Sequence, residues 1–157
     1  MSLAGTALVV LYAAFAAVQI LVLNPLAAVP GQSLDQIHAG LAAQGETLAP
    51  PLVLITLGIG VALALAVLVR SWRHHDTDPW SAILSYSALL TLGAPAYFVA
   101  SFGPGMALAD AYGISGADYS PWAAPLYVIS LITLVSTVVA MNVLAGKRRA
   151  SGTAITA

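Results

Sequence analysis

Hydrophobic residues are concentrated in four long stretches of the chain, which are separated by more polar segments. The stretches cover residues 3–23, 52–69, 80–102 and 122–144, and none of them contains Asp, Glu, Lys, Arg or His. An α-helix rises about 1.5 Å per residue, so about 20 apolar residues cross the roughly 30 Å hydrocarbon core of a bilayer. The pattern predicts an all-α polytopic membrane protein, a four-transmembrane-helix bundle made of two hairpins.

Composition supports this prediction. The 157 residues are 60% hydrophobic and 7% charged, whereas about 25% of the residues in a typical soluble domain are charged. There is no cysteine, which excludes disulfides and thiol catalysis. We expect one transmembrane domain over residues 1–146, followed by a short disordered tail over residues 147–157. The Ala-rich, Lys-poor usage is typical of a bacterium with a high-GC genome.

The basic residues predict the orientation. All five follow the second or the fourth apolar stretch: Arg70, Arg73, Lys147, Arg148 and Arg149. The segments 24–51 and 103–121 contain acidic residues but no Lys or Arg. Because basic residues in short loops remain on the cytoplasmic side, both termini are expected in the cytoplasm and the protein in the plasma membrane.

The two acidic segments are predicted to contain short helices. In the first, Ser33 and Gln36 fit a capping box before a helix at 34–44, and Gly45 fits its C-terminal cap. The apolar face of this helix is expected on the membrane surface or on the top of the bundle. In the second segment, we expect one helical turn near residues 106–112. Pro95 is expected to bend the third span.

Small and hydroxyl side chains recur within the spans. Gly58, Ala62 and Ala66 are spaced by four, which favours close packing between helices. A polar stripe is formed by Ser130, Thr133, Thr137 and Ser85. It has two interpretations, a path for a solute or hydrogen bonding between and within helices. We favour the second, because hydroxyl groups can also bond to their own helix backbone.

Candidate chemistry lies outside the spans. His38, Asp35, Asp110, Ser115 and Asp118 are predicted on the extracytoplasmic side. His38, Asp110 and Ser115 permit a Ser–His–Asp triad, although the nucleophile-elbow motif is incomplete. The acidic residues Asp35, Glu46, Asp110 and Asp118 permit a calcium site, although EF-hand spacing is absent. On the other side, residues 74–78 (HHDTD) resemble metal ligands in type. A solvated loop is the favoured interpretation of that segment.

The absence of ionisable residues from the spans argues against a proton-driven pump, a voltage sensor or a retinal protein. No cofactor is predicted, and no basic surface supports nucleic-acid binding. The favoured hypothesis is a non-catalytic accessory or assembly subunit whose partners are the lipid bilayer and another membrane protein or a second copy. The alternatives are a transport or channel subunit for a small neutral solute, and a membrane enzyme that uses the extracytoplasmic loops.

Overall fold

The computed structural model describes residues 2–73 and 79–153, and all regular elements in these ranges are helical. A three-residue 3₁₀ turn, Pro121–Ala123, leads into the last helix. The helices are α1 (Ser2–Ala28), α2 (Leu34–Ala43), α3 (Pro50–Arg73), α4 (Pro79–Thr91), α5 (Gly93–Tyr112) and α6 (Ala124–Thr153).

Four helical segments are long and apolar enough to cross a membrane. They are α1, α3, the combined α4 and α5 over Trp80–Tyr112, and the segment Pro121–Asn142 that contains most of α6. These segments confirm the four predicted stretches by length and composition. Three of them are longer than predicted, because α1 continues to Ala28, α3 covers Pro50–Arg73 and the third continues to Tyr112.

The core lies where α1, α3, α5 and α6 meet. One cluster of buried side chains joins all four helices, and its members are Tyr12, Ala16, Ile20, Val53, Leu57, Tyr97, Ala100, Ala123 and Leu126. The third long helix is central, because α4 and α5 together contact α1, α3 and α6. The short helix α2 covers one end of this bundle, which we call the α2 end.

The packing face of α3 differs from the predicted one. Its buried residues are Val53, Leu57, Ala64 and Leu68, whereas Gly58, Ala62 and Ala66 are exposed. With 3.6 residues per turn, Gly58 is rotated by about 100° from its neighbour Leu57. The row of small residues therefore faces outward and does not contact the described helices of this chain.

The third long helix is interrupted at Leu92, between α4 and α5, close to Pro95, which was predicted to bend this span. Proline has no N–H, and its ring crowds the carbonyl four residues earlier, which here belongs to Thr91. The irregularity therefore lies about one turn before the proline. Gly93 also fits here because a Cβ atom at this position would lie 2.6 Å from the Tyr12 ring.

The segment after residue 102 is helical to Tyr112, where the sequence predicted a loop with one turn of helix. Pro104 lies inside this helix, and Gly105 packs so closely on the Gly116 backbone that a Cβ would lie 2.9 Å from its carbonyl oxygen. Gly105 and Gly116 therefore serve close packing rather than turns. The helix ends at Gly113, whose φ of 64° is the left-handed conformation of a C-terminal cap.

The predicted helix in the first acidic segment is confirmed as α2, with the Ser33–Gln36 capping box formed. Gly45 follows it with a positive φ of 77°. Ile37 and Leu41 are buried against Ala107 and Leu108 of α5. Of the two predicted locations for the apolar face of α2, the top of the bundle is therefore correct.

The last helix extends beyond its predicted end at residue 144. Its backbone is helical to Thr153, where the sequence predicted a disordered tail. Ala and Arg favour helix, and cations are favourable near a helix C-terminus, which accounts for the extension through Lys147–Arg149. Residues 154–157 and the predicted metal or loop segment 74–78 lie outside the described residues.

Candidate site around Asp118

Asp118 is held by two tyrosines near the α2 end of the bundle. Tyr97 donates a hydrogen bond of 2.6 Å to Asp118 Oδ1, and Tyr127 donates one of 3.2 Å to Oδ2. The two rings meet edge to face with their centroids 5.5 Å apart. Tyr97 comes from α5 and is fully buried, whereas Tyr127 comes from α6. The carboxylate thus connects the third and fourth long helices.

The first long helix fixes the segment that carries Asp118. Asn24 Oδ1 accepts hydrogen bonds from the backbone N–H groups of Tyr119, at 2.7 Å, and Ser120, at 3.2 Å. Gln19 Nε2 donates to the Ser120 carbonyl at 3.5 Å. Residues 118–120 are therefore tied to α1, α5 and α6 at the same time, and the position of the Asp118 carboxylate is set by all three helices.

A π-helical turn brings the two amide side chains of α1 to the same segment. Residues Gln19–Leu23 form this turn, and the Asn24 N–H donates to the Gln19 carbonyl. In an α-helix, residues five apart differ by about 140° in direction. The wider π turn reduces this angle, so Gln19 and Asn24 can both face Ser120. Such single turns occur frequently at functional sites.

The side chain of Gln19 retains one unused polar atom. The residue is fully buried, and its Oε1 has no hydrogen-bond partner among the described residues. Leaving a buried acceptor unpaired costs about 1–3 kcal/mol, so glutamine at position 19 requires a compensating role for the rest of its side chain. Its amide nitrogen supplies that role by donating to Ser120.

A cavity of about 140 Å³ adjoins the carboxylate. It is bounded by the ends of α1, α5 and α6 and by the loop 113–120. Its lining combines aromatic rings with a few polar groups: Asn24, Phe98, Ser101, Phe102, Gly105, Gly116, Ala117, Asp118 and Tyr127. The cavity thus has aromatic walls and a few polar groups, and its one carboxylate is that of Asp118.

Among the described residues, no hydrogen bond joins the other predicted extracytoplasmic residues to one another. Ser115 Oγ lies 3.0 Å from Tyr119 Oη, and no hydrogen bond or ion pair joins Ser115 with His38 or Asp110. His38 lines a separate recess that also contains Glu46. Asp35 and Asp110 are exposed. The described residues contain no group of three His, Cys, Asp or Glu side chains that could hold a metal ion.

The hydroxyl stripe within the long helices is engaged in hydrogen bonds. Thr91 donates to Thr133 across α4 and α6 at 3.3 Å. Thr133, Thr137 and Ser85 donate to carbonyl groups of their own helices, at 3.0, 2.7 and 2.7 Å. Hydrogen bonds of this kind, between and within helices, are what the second interpretation of the stripe describes.

Ser130 bridges two backbone groups of the third long helix that lack their usual hydrogen bond to each other. In a continuous helix, the Ala94 N–H would donate to the Leu90 carbonyl. Here the Ala94 N–H donates to Ser130 Oγ at 3.0 Å, and Ser130 Oγ donates to the Leu90 carbonyl at 2.8 Å. Tyr12 Oη lies 3.2 Å from Ser130 Oγ and also donates a hydrogen bond to the Leu126 carbonyl. One buried hydroxyl therefore satisfies both backbone groups at the break.

Asp118 was identified from the sequence, but its partners Tyr97 and Tyr127, and Asn24, which fixes the neighbouring Tyr119 and Ser120 backbone, were not. These residues are separated from Asp118 by 21, 9 and about 95 positions, and no local motif joins them. The one sequence signal was polar amides, Gln19 and Asn24, at the end of a long apolar stretch. Comparisons with protein families, with curated proteins and with solved structures find no match to this chain.

Proposed function

We propose that the chain is a four-span plasma-membrane protein with both termini in the cytoplasm, and that it acts as a non-catalytic accessory or assembly subunit. The observation that carries this proposal is how the polar groups within the long helices are used. Ser130, Thr133, Thr137 and Ser85 all take part in hydrogen bonds inside the protein, whereas large apolar side chains face outward on every long helix.

This distribution favours binding over transport or catalysis. A path for a neutral solute is better served by hydroxyls that are free to donate to it, and the hydrogens of these four hydroxyls are donated within the protein instead. An apolar groove of about 380 Å³ lies between α1, α3, α4 and α5, and its lining has almost no polar surface. In the described part of the chain, Ser115 is hydrogen-bonded to Tyr119 and not to His38 or Asp110. Interaction with another membrane protein remains the best supported activity.

The orientation follows from the basic residues. Arg70 and Arg73 lie at the end of α3 away from the α2 end, and Lys147–Arg149 lie near the end of α6. We expect a cysteine introduced at Ser115 to be labelled from outside intact cells, and one introduced at Thr153 only after permeabilisation. The native chain contains no cysteine, so each label reports on one position. The reverse labelling pattern would contradict the orientation.

The outward row Gly58, Ala62 and Ala66 on α3 is our proposed contact surface for the partner. Small side chains allow helix backbones in a membrane to approach closely. A Cβ atom at Gly58 would meet no atom within 4 Å, and both alanines are exposed. The row is therefore free to receive another helix, either from a different protein or from a second copy.

Purification in mild detergent followed by mass spectrometry tests this proposal. We expect a stoichiometric partner, and we expect it to be lost in the double variant Gly58→Leu with Ala62→Leu. Ala14→Leu, at an exposed alanine of α1, is the matched control and should retain the partner. Because the space at Gly58 is open, the double variant should fold normally. A chain that purifies alone and monomeric from its native membrane would contradict the proposal.

A further inference from the structure

The cavity beside Asp118 has the chemistry of a cation site. An ionised carboxylate offers about four acceptor positions, and the two tyrosine hydrogen bonds occupy two of them. Phe98, Phe102 and Tyr127 contribute aromatic rings to the walls, and aromatic faces attract organic cations. Ser101 adds an oxygen that can still accept, because its own hydroxyl donates to the Phe98 carbonyl.

The described residues supply no cation for this carboxylate. Its five Lys and Arg residues are Arg70, Arg73 and Lys147–Arg149. At about 1.5 Å per residue, they lie roughly 30 Å or more along α3 and α6 from the α2 end. His38 is at the α2 end, but it lines a different recess. Asp118 is therefore paired within the described residues only with neutral hydroxyl donors.

From this geometry we infer that the cavity binds a primary ammonium group carried on a short chain, of the ethanolamine type. A cavity of 140 Å³ is close to the size that accommodates benzene in an engineered protein core, about 150 Å³, so it suits a small organic ion. A primary ammonium can donate to both Asp118 and Ser101, while its carbon chain lies against Phe98 and Phe102. Calcium is disfavoured because it requires six to eight oxygen ligands.

The position of the cavity suits a lipid headgroup as well as a soluble amine. Trp122 is 57% exposed near the same end of the bundle, and exposed tryptophan is typical of the headgroup level of a membrane. Phe98 and Phe102 are also about 60% exposed, so the cavity opens beside an apolar surface on which acyl chains could lie. Both sources present the same ammonium group.

Native mass spectrometry of the detergent-purified chain tests the inference with added lipids of matched acyl length. We expect phosphatidylethanolamine to bind more tightly than phosphatidylcholine or phosphatidylglycerol. Asp118→Asn should weaken phosphatidylethanolamine binding by about tenfold or more, because a hydrogen bond to a charged group is lost. Asp110→Asn, at an exposed aspartate of α5, is the matched control and should bind as the native chain does.

Free ethanolamine distinguishes the two sources. Displacement of the lipid by ethanolamine at millimolar concentration would identify a soluble amine as a sufficient ligand, and failure to displace it would identify the lipid. Equal binding of phosphatidylcholine would overturn the assignment of a primary ammonium. Equal lipid binding by the native chain and a folded Asp118→Asn variant would overturn the site itself, with folding judged by an unchanged thermal transition in detergent. The test does not depend on partner binding.

Discussion

Single buried polar side chains complete the hydrogen bonding of this protein where its helices are irregular. Ser130 bridges the Leu90 carbonyl and the Ala94 N–H at the break between α4 and α5. Asn24 accepts from two consecutive backbone N–H groups of the loop before α6. In each case one side chain replaces what regular secondary structure would supply.

Replacing Ser130 with alanine should destabilise the chain by about 1–2 kcal/mol, because two buried backbone groups lose their partner. Ser130 is only 4% exposed, so water cannot easily replace its hydroxyl. The measurement is thermal unfolding in detergent. Ser136→Ala, on an exposed face of the same helix, should leave the transition within error of the native chain, and equal effects of both changes would contradict the bridging role.

Replacing Asn24 with alanine should cost a comparable amount, about 1–3 kcal/mol, since the Tyr119 and Ser120 N–H groups would be left without an acceptor. Asn142→Ala provides the control, because Asn142 is exposed and donates only to the Val138 carbonyl of its own helix. Unfolding in detergent should separate the two variants. A silent Asn24→Ala would show that the loop is held by other contacts.

Glycine at 93 should be required for the contact between α1 and the helix break. A methyl group there would overlap the Tyr12 ring at 2.6 Å, and such overpacking typically costs about 1–3 kcal/mol. Gly60→Ala is the matched control, because a Cβ there meets nothing within 4 Å and alanine favours a helix. We expect Gly93→Ala to lower the unfolding temperature and Gly60→Ala to maintain or raise it.

At the scale of elements, the sequence predicted the existence of the long helices better than their irregularities. The capping box at Ser33 and Gln36 is a local pattern, so α2 could be placed correctly. The break at Leu92 lies about one turn before Pro95, where a proline is expected to disturb a helix, but the contacts of Gly93 with Tyr12 and of Ser130 with the backbone at this break could not be predicted. These contacts are between distant parts of the chain, and no local pattern specifies them.

The extension of α5 to Tyr112 also depends on contacts between distant parts of the chain, which local sequence patterns do not predict. Gly103 and Gly105 suggested turns, because glycine is common in loops. In the folded chain, Ala107 and Leu108 are buried against α2, and this burial outweighs the weak helix propensity of the glycines. The direction of the Gly58 row on α3 could not be predicted either, since a spacing of four is compatible with an inward or an outward face.

At the scale of the whole molecule, composition was sufficient to predict four helices that are long and apolar enough to cross a membrane. Four helical segments with mean hydropathy between 1.5 and 2.9 are present, and in water their outward side chains would form one continuous apolar surface. The Asp118 cluster could not be predicted as a unit, because it joins α1, α5 and α6 through contacts up to about 95 positions apart.

A charge on the outward face of α6 should prevent stable insertion. Leu131 is 60% exposed in the middle of the segment Pro121–Asn142, and lysine at the centre of a membrane helix costs about 2.5–3.5 kcal/mol. We expect Leu131→Lys to reduce the amount recovered in the membrane fraction several-fold. Asn142→Lys, near the end of the same segment, should be recovered at the native level. Equal recovery of both would argue that this face of α6 does not contact lipid.

The bridging serine also has a consequence for biogenesis. The third long helix emerges from the ribosome well before Ser130. During synthesis, the Leu90 carbonyl and the Ala94 N–H therefore lack the hydroxyl that bonds them in the folded chain. The third helix can reach its mature form only after the fourth has been released beside it. A chain that stops before residue 130 would therefore present an incomplete helix, which quality-control proteases of the membrane could distinguish from the finished protein.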